Sequence, residues 1–270
     1  MTHNDVVQWI DYFAPKELAC EWDNVGLMTG DLNDKTKNIL FCLDLTLSDI
    51  IMAAKSNINL IITHHPLIFD KEEIIKDGSL LRQKLDALEK AKITVYSAHT
   101  NLDFAPGGIN DVLFRKLKLG DMKKYDNDTH VIGQLSAPET LGGFFDRISA
   151  DFGSFNAKLI KPKGLEIDDN VVSVAVCCGA FDGETDYLVN NKVDVVVTGE
   201  MKLSRALELM ELGIAAIELG HYETEISGIK SLAAHLKKSM QGQLEQDGVA
   251  VRISPNTNPY YDIIGVGLPE

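Results

Sequence analysis

The sequence predicts an α/β protein of two related lobes arising from an internal duplication, free to intertwine, each a mixed, mostly parallel sheet flanked by helices. Three observations predict this. Residues 39–65 (ILFCLDLTLSDIIMAAKSNINLIITHH) align without a gap, at an offset of 135, with residues 174–200 (VAVCCGAFDGETDYLVNNKVDVVVTGE). In each copy two short Val/Ile/Leu runs flank a segment of helix length, the pattern of a β-α-β unit whose parallel strands are buried on both faces. Each copy is followed by a further helix, a strand and a polar corner, His99-Thr-Asn-Leu-Asp103 in one half and His221-Tyr-Glu-Thr-Glu225 in the other, both of the form H-x-x-x-acid.

Each element has its own signal. A first helix precedes Glu21-Trp-Asp-Asn-Val-Gly-Leu27, a turn that either lines a cleft or tucks Trp22 under the helix. The first crossover runs from the strand 39–43 to the strand 59–63, which ends at Thr63-His64-His65-Pro66 because proline has no amide to continue a ladder. The helix 79–91 carries Leu80, Leu81, Leu85 and Leu88 at inward spacing, and the strand Ile93-Thr-Val-Tyr-Ser delivers the first corner. Pro106-Gly107-Gly108 reads as a plain turn in preference to an anion-binding helix start. An amphipathic helix on Ile109, Val112, Leu113 and Leu117 follows.

In the second half, the helix 203–212 places Leu203, Ala206, Leu207 and Met210 inward, and the strand Ile214-Ala-Ala-Ile-Glu delivers the second corner, at an offset of 122 from the first. Its closing helix carries Ile226, Ile229, Leu232 and Leu236. The lobes are assigned to 1–125 and 126–270. Between the repeats, 120–170 contains Pro138, Gly142, Gly143, Pro162 and Gly164 and reads as an irregular link with some secondary structure.

Composition narrows the functional classes. With 26 basic and 40 acidic residues the net charge is −14, a field that repels nucleic-acid backbones and anionic lipid. No stretch approaches the roughly 20 apolar residues of a membrane span, and Met1-Thr-His-Asn-Asp has neither the basic start nor the apolar run of a signal peptide. A cytoplasmic protein is expected. Cys20, Cys42, Cys177 and Cys178 form no C-x-x-C pair, so four reduced, structural thiols are expected. P-loop, G-x-G-x-x-G and G-x-S-x-G signatures are absent, which leaves an ATPase, a Rossmann dehydrogenase and a serine hydrolase without support.

The chemistry sits where strands end. Ligand sites of open parallel sheets gather at the carboxyl ends of their strands. His64 and His65 stand at one such end, and Asp103, His221 and Glu225 in the two corners. Three imidazoles and two carboxylates suit a pair of divalent ions and leave coordination positions for water, whereas a structural zinc site is closed by four protein ligands. The set fits iron, manganese, zinc, cobalt or nickel. His99 matches His221 by the repeat or orients Asp103 from behind. Glu200 and Lys202, in Thr198-Gly-Glu-Met-Lys202, occupy the place of His64-His65 in the second copy and either face the cleft or form a salt-bridged rim. His3, His130 and His235 are expected on the solvated surface.

Trp22-Asp-Asn-Val-Gly-Leu27, Thr63-His-His-Pro-Leu67, Ser97-Ala-His-Thr-Asn-Leu-Asp103 and Gly220-His-Tyr-Glu-Thr-Glu225, taken together and in this order, resemble the NIF-three-like family, in its short form. Bacterial members of that family are often labelled GTP cyclohydrolase I type 2. The resemblance implies two related α/β lobes, a toroidal homohexamer built as a trimer of dimers, and a dinuclear metal site whose ligand positions fall on His64, His65, Asp103, His221 and Glu225. It places a family histidine at His99. The sequence departs from the family pattern at Cys178-Gly-Ala-Phe-Asp182, where relatives show a glycine-rich turn, and at Lys202-Leu-Ser204, where many carry Lys-Tyr-His.

The expected function is a metal-dependent hydrolase or cyclohydrolase acting on a nucleotide or other phosphate-containing small molecule. It would hold two divalent ions of iron, zinc or manganese, with Glu225 and His99 as its catalytic groups. The alternative is a non-enzymatic protein that stores, delivers or senses metal, or a regulatory scaffold.

Overall fold

The computed structural model describes residues 1–70, 74–124, 130–154, 156–255 and 258–259. The chain forms two units. Met1–Ile109 and Gly228–Thr257 make the first, and Asn110–Ser227 and Asn258–Glu270 the second. This differs from a cut between 125 and 126, because the chain returns to the first unit after residue 227.

Among the described residues, the first unit contains a five-stranded sheet in the order β1-β4-β3-β2-β11, with strands β1 (Gly26–Thr29), β2 (Asn38–Cys42), β3 (Leu60–Thr63), β4 (Thr94–Ser97) and β11 (Ala250–Ile253). All neighbours pair in parallel except β1 with β4. Its helices are α1 (His3–Phe13), α2 (Leu47–Lys55), α3 (Leu80–Ala91), α4 (Thr100–Phe104) and α10 (Gln241–Asp247). The predicted crossover is present: Leu40 and Cys42 of β2, Ile61 of β3 and Val95 of β4 pack with Ile50 of α2 and Leu88 of α3. The residues between them on these strands, such as Ile39, Phe41, Leu60 and Ile62, are buried as well, so both faces of the sheet are covered.

Helix starts are fixed by capping boxes. Thr2 and Thr46 accept from the amides of Asp5 and Asp49, whose carboxylates accept in return from the threonine amides. Leu80 is exposed, and the buried residue of α3 is Leu88 alone.

The second unit carries, among its described residues, the sheet β5-β6-β8-β9-β10-β7. Its strands are β5 (Gly120–Lys124), β6 (Val131–Thr140), β7 (Lys158–Ile160), β8 (Asn170–Phe181), β9 (Val195–Met201) and β10 (Ala215–Glu218). Strands β8, β9 and β10 are parallel; β5, β6 and β7 are joined antiparallel. Helices α6 (Leu141–Phe152), α7 (Asp186–Asn190) and α8 (Leu203–Glu211) belong to this unit, while the chain crosses between units within α5 (Ile109–Lys116) and again within α9 (His221–Ser239).

The segment 120–170 is therefore not an irregular link, since it supplies β5, β6, α6 and β7. In α6 the buried residues Leu141, Phe144, Ile148 and Phe152 recur at helical spacing between a Thr140 N-cap and a left-handed Gly153, and Gly142 and Gly143 lie inside the first turn. Helix α8 is rotated from the expected face: Leu209 is buried among Leu188, Val196 and Ile214, and Leu203 is 75% exposed. Among the described residues no helix is long and apolar enough to cross a membrane.

The two parallel ladders share one register. Ile39 faces Leu60 and Cys42 faces Thr63; Val174 faces Val195 and Cys177 faces Thr198, so every pair recurs at the offset of 135. At the next strand the pairs Leu60–Thr94 and Val195–Ala215 set the offset to 121, one less than the 122 that relates the H-x-x-x-acid corners. In that register His221 corresponds to Thr100, and His99 to Gly220. The two histidines therefore reach their places by different backbone routes, His99 as the N-cap of α4 and His221 as the first residue of α9.

Candidate metal centre

In the first unit, His64 and His65 leave the end of β3 while their amides still donate to the carbonyls of Cys42 and Leu43, at 3.1 and 3.0 Å. The proline that follows ends this pairing. The tip of β4 brings in His99 and the first turn of α4 brings in Asp103. The His64 ring centroid lies 4.9 Å from that of His65 and 5.1 Å from that of His99, and one ring nitrogen of each of the three lies within 4.8 Å of the others. His64 is fully buried, and its Nε2 is 3.5 Å from Oδ1 of Asp103, itself nearly buried.

Each imidazole is oriented from behind. His64 Nδ1 meets the Ala98 carbonyl at 2.9 Å, His65 Nδ1 the Asp44 carboxylate at 2.9 Å, and His99 Nδ1 the Asp23 carboxylate at 2.9 Å. A carbonyl or carboxylate oxygen only accepts, so each Nδ1 that faces one donates to it. This is the arrangement of ligating histidines, whose outer nitrogen is held by an oxygen while the inner one faces a cation.

Asp23 is also held by the amide of Thr100 at 3.0 Å and by its hydroxyl. Burial pushes its carboxyl up, but the hydrogen bonds from His99 and Thr100 outweigh that and bring it down to about 2. It therefore stays an ionised acceptor behind His99.

In the second unit, His221 and Glu225 lie one turn apart on α9, with His221 Nε2 3.1 Å from Glu225 Oε1. Glu200, at the end of β9, takes His221 Nδ1 at 3.1 Å. It is thus the orienting group of His221, while Lys202 pairs with Asp182 at 3.0 Å on the exposed rim. Gly179 packs against this pair. Its φ is +60°, and a Cβ there would come within 2.4 Å of Glu225 Oε1 and 3.2 Å of His221 Nε2. The ladder between β8 and β9 slips between Cys177 and Ala180 to make this approach.

The structure thus places His64, His65, His99 and Asp103 in one cluster of the first unit, and His221 and Glu225 together in the second. Asp44 and Gly179 escaped the sequence reading. Asp44 looks like any acidic strand end, and its signal lies in the partner 21 residues away rather than in its own surroundings. Two histidines differ from expectation. His3 and His130 are buried, His3 with Nδ1 on the Asp31 carbonyl at 3.0 Å, and His130 against the rings of Phe181 and Tyr187. His235 is exposed, as expected. Trp22 does not tuck under the first helix but stands edge-on to His99. Gly108 is a tight turn, its amide bonded to Ala105 and a Cβ excluded by the Leu102 carbonyl. Cys20, Cys42, Cys177 and Cys178 are free thiols.

Comparison with known proteins decides the lineage, because the family described as Duf34/NIF3 (NGG1p interacting factor 3) matches residues 1–259. The chain belongs to the DUF34/NIF3 family. A relative from Methanocaldococcus jannaschii, called a GTP cyclohydrolase 1 type 2 homolog, is 33% identical over 244 residues, 89% of this chain and 96% of that protein. Reduced HcgD from the same organism is similar in structure, with a TM-score of 0.76 and 31% identity over 94% of this chain and 97% of that one. A Bacillus cereus protein related to NIF3 shares the fold at a TM-score of 0.83 and 21% identity, covering 97% of this chain and 99% of that one. The NIF3 fold expected from the four motifs is thus the fold of this DUF34/NIF3 chain.

Proposed function

We propose that this DUF34/NIF3 protein holds two divalent metal ions on His64, His65, Asp103, His221 and Glu225 and is a metal-dependent hydrolase of a nucleotide or related small molecule. One observation carries the reading: each of the four imidazoles has its Nδ1 on an oxygen acceptor, the support that ligating histidines carry while Nε2 serves the metal. The donor set also fits chemically, since imidazole nitrogens and carboxylate oxygens such as those of Asp103 and Glu225 are the ligands a divalent first-row metal takes.

Bound divalent ions would polarise an electrophile and supply an acidic water at neutral pH. The chain's own part is then positional and acid–base. Asp23 fixes the His99 tautomer so that Nε2 can accept a proton within the imidazole cluster, and Glu225, anchored beside His221, offers a second acceptor. The name of the Methanocaldococcus jannaschii relative brings GTP into the reading as a first substrate to try.

Metal analysis of anaerobically purified protein tests the centre. About two equivalents per chain are expected, with clear loss in His65→Ala and Glu225→Ala. Near-zero metal after reconstitution with iron, manganese and zinc would sink the proposal. A second reading, metal delivery or storage, draws on the exposure of Asp44, which leaves the support of His65 open to solvent and favours exchange. Transfer of metal to a chelating acceptor without turnover of GTP or simple phosphoesters would select it. We also propose a cytoplasmic homohexamer, for which light scattering would give six times the 29.7 kDa chain mass.

A further inference from the structure

Trp22 is 58% exposed and Phe69 53% exposed, and the two rings stack on one another with centroids 5.8 Å apart and planes 25° apart. Both stand edge-on to His99, Trp22 at 6.0 Å and Phe69 at 5.9 Å between centroids. Two large apolar rings left in water beside a cluster of imidazoles cost solvation without filling a core. They are also held in place. Asp23 is bound to His99 and Thr100, and the side-chain amide of Asn24 donates to the Ile68 carbonyl at 2.7 Å. Successive residues of the Trp22-Asp23-Asn24 run thus present a ring, orient an imidazole, and tie their loop to the residue before Phe69.

We propose that Trp22 and Phe69 form the wall of a subsite for a planar aromatic or heteroaromatic ring, seated beside the imidazole cluster. The proposal deepens the hydrolase reading and rests on it for the position of the reacting group. The spacing of the two rings is too small to admit a third between them, since ring-to-ring contact takes about 3.5 Å on each side. The ligand ring therefore lies against the outward face and edges of the pair. A substituent of that ring then comes beside His99, to which both rings stand edge-on. Such stacking tolerates different heterocycles, because every base has a π-face. Ring identity is then chosen weakly, and the reacting substituent is chosen by the metal centre.

The sequence has two tryptophans, Trp9 and Trp22, so full-length Trp9→Phe leaves Trp22 as the sole indole reporter. Its emission is titrated with guanosine and with nicotinamide, and with ribose as control, in metal-free and metal-loaded protein. Saturable quenching by the two heterocycles and none by ribose is expected, weakened about fivefold or more in Phe69→Ala and restored in Phe69→Tyr. No quenching by either heterocycle, or quenching indifferent to Phe69→Ala, overturns the wall. So does an emission of Trp22 that acrylamide cannot reach, which would mean that a second copy covers the rings. Metal content measured on the same samples keeps the two ideas apart. Two metal equivalents without heterocycle binding removes the wall alone, and heterocycle binding without metal uptake removes the metal reading alone.

Discussion

Asp23 shows how one side chain ties stability to the site. Its carboxyl is shifted down from 3.8 to about 2, burial opposing and the bonds from His99 and Thr100 prevailing. A depressed acid contributes stability that is present above its unfolded pKa and lost as pH falls through its folded one. The window here is from about 3.8 down to about 2, and the size is ~2 kcal/mol from the shift. Acid titration of stability by denaturant should show this loss in the wild type and not in Asp23→Asn, and parallel curves would refute the assignment. Gly179 makes the complementary case, because an added Cβ meets Glu225 Oε1 and the left-handed φ strains any L side chain. Gly179→Ala should lower thermal stability by about 1–2 kcal/mol and also reduce bound metal, read by calorimetry and elemental analysis. At this scale the sequence pointed to the histidines and acids of the two clusters and was silent about the groups that orient them. A histidine pair before proline announces itself, whereas Asp44 and Gly179 acquire meaning only from side chains distant in the chain.

Among the elements, the crossover helix α2 is set by its first turn. Thr46 caps it, Asp49 caps in return at 3.0 Å, and the buried Asp49 also accepts from the Ser254 hydroxyl. Thr46→Ala is expected to cost about 1 kcal/mol, measured as a shift in the denaturation midpoint with unchanged slope. A cost near zero would mean that the threonine hydroxyl adds nothing to the start of α2. The β-α-β units were legible because a buried parallel strand is a short run of Val, Ile and Leu and little else imitates it. Strands β5 to β7 and helix α6 were not, because prolines and glycines scattered through 138–164 read as loop. Helical spacing from Leu141 to Phe152 was present all the same. Helix α8 was found but misfaced, since Leu203 and Leu207 form an apolar stripe as regular as a core-facing one.

For the chain as a whole, the consequential fact is the return of its C-terminal part to the first sheet. Strand β11 pairs in parallel with β2 from Ala250–Asn38 to Ile253–Phe41, and residues 228–257 belong with the first unit. A fragment ending at residue 125 lacks that edge strand and the later half of α9. Expressed alone, it should fail to unfold cooperatively by circular dichroism, whereas the full chain should unfold with a clear transition. No local pattern forecasts this pairing, because four residues of edge strand carry too little periodicity to name their neighbour.

The shared register has a further consequence for how such a protein diversifies. Leu60 and its partner Thr94 are separated by 34 residues, Val195 and its partner Ala215 by 20, so the first unit carries 14 residues more between equivalent strands. Phe69 lies inside that surplus. The ladders act as a ruler that both units of this chain keep, and the two differ in length where no ladder bond constrains them. An engineer can therefore rewrite the stretch between Pro66 and Ser79, which carries the Phe69 ring, and leave the ladder strands untouched.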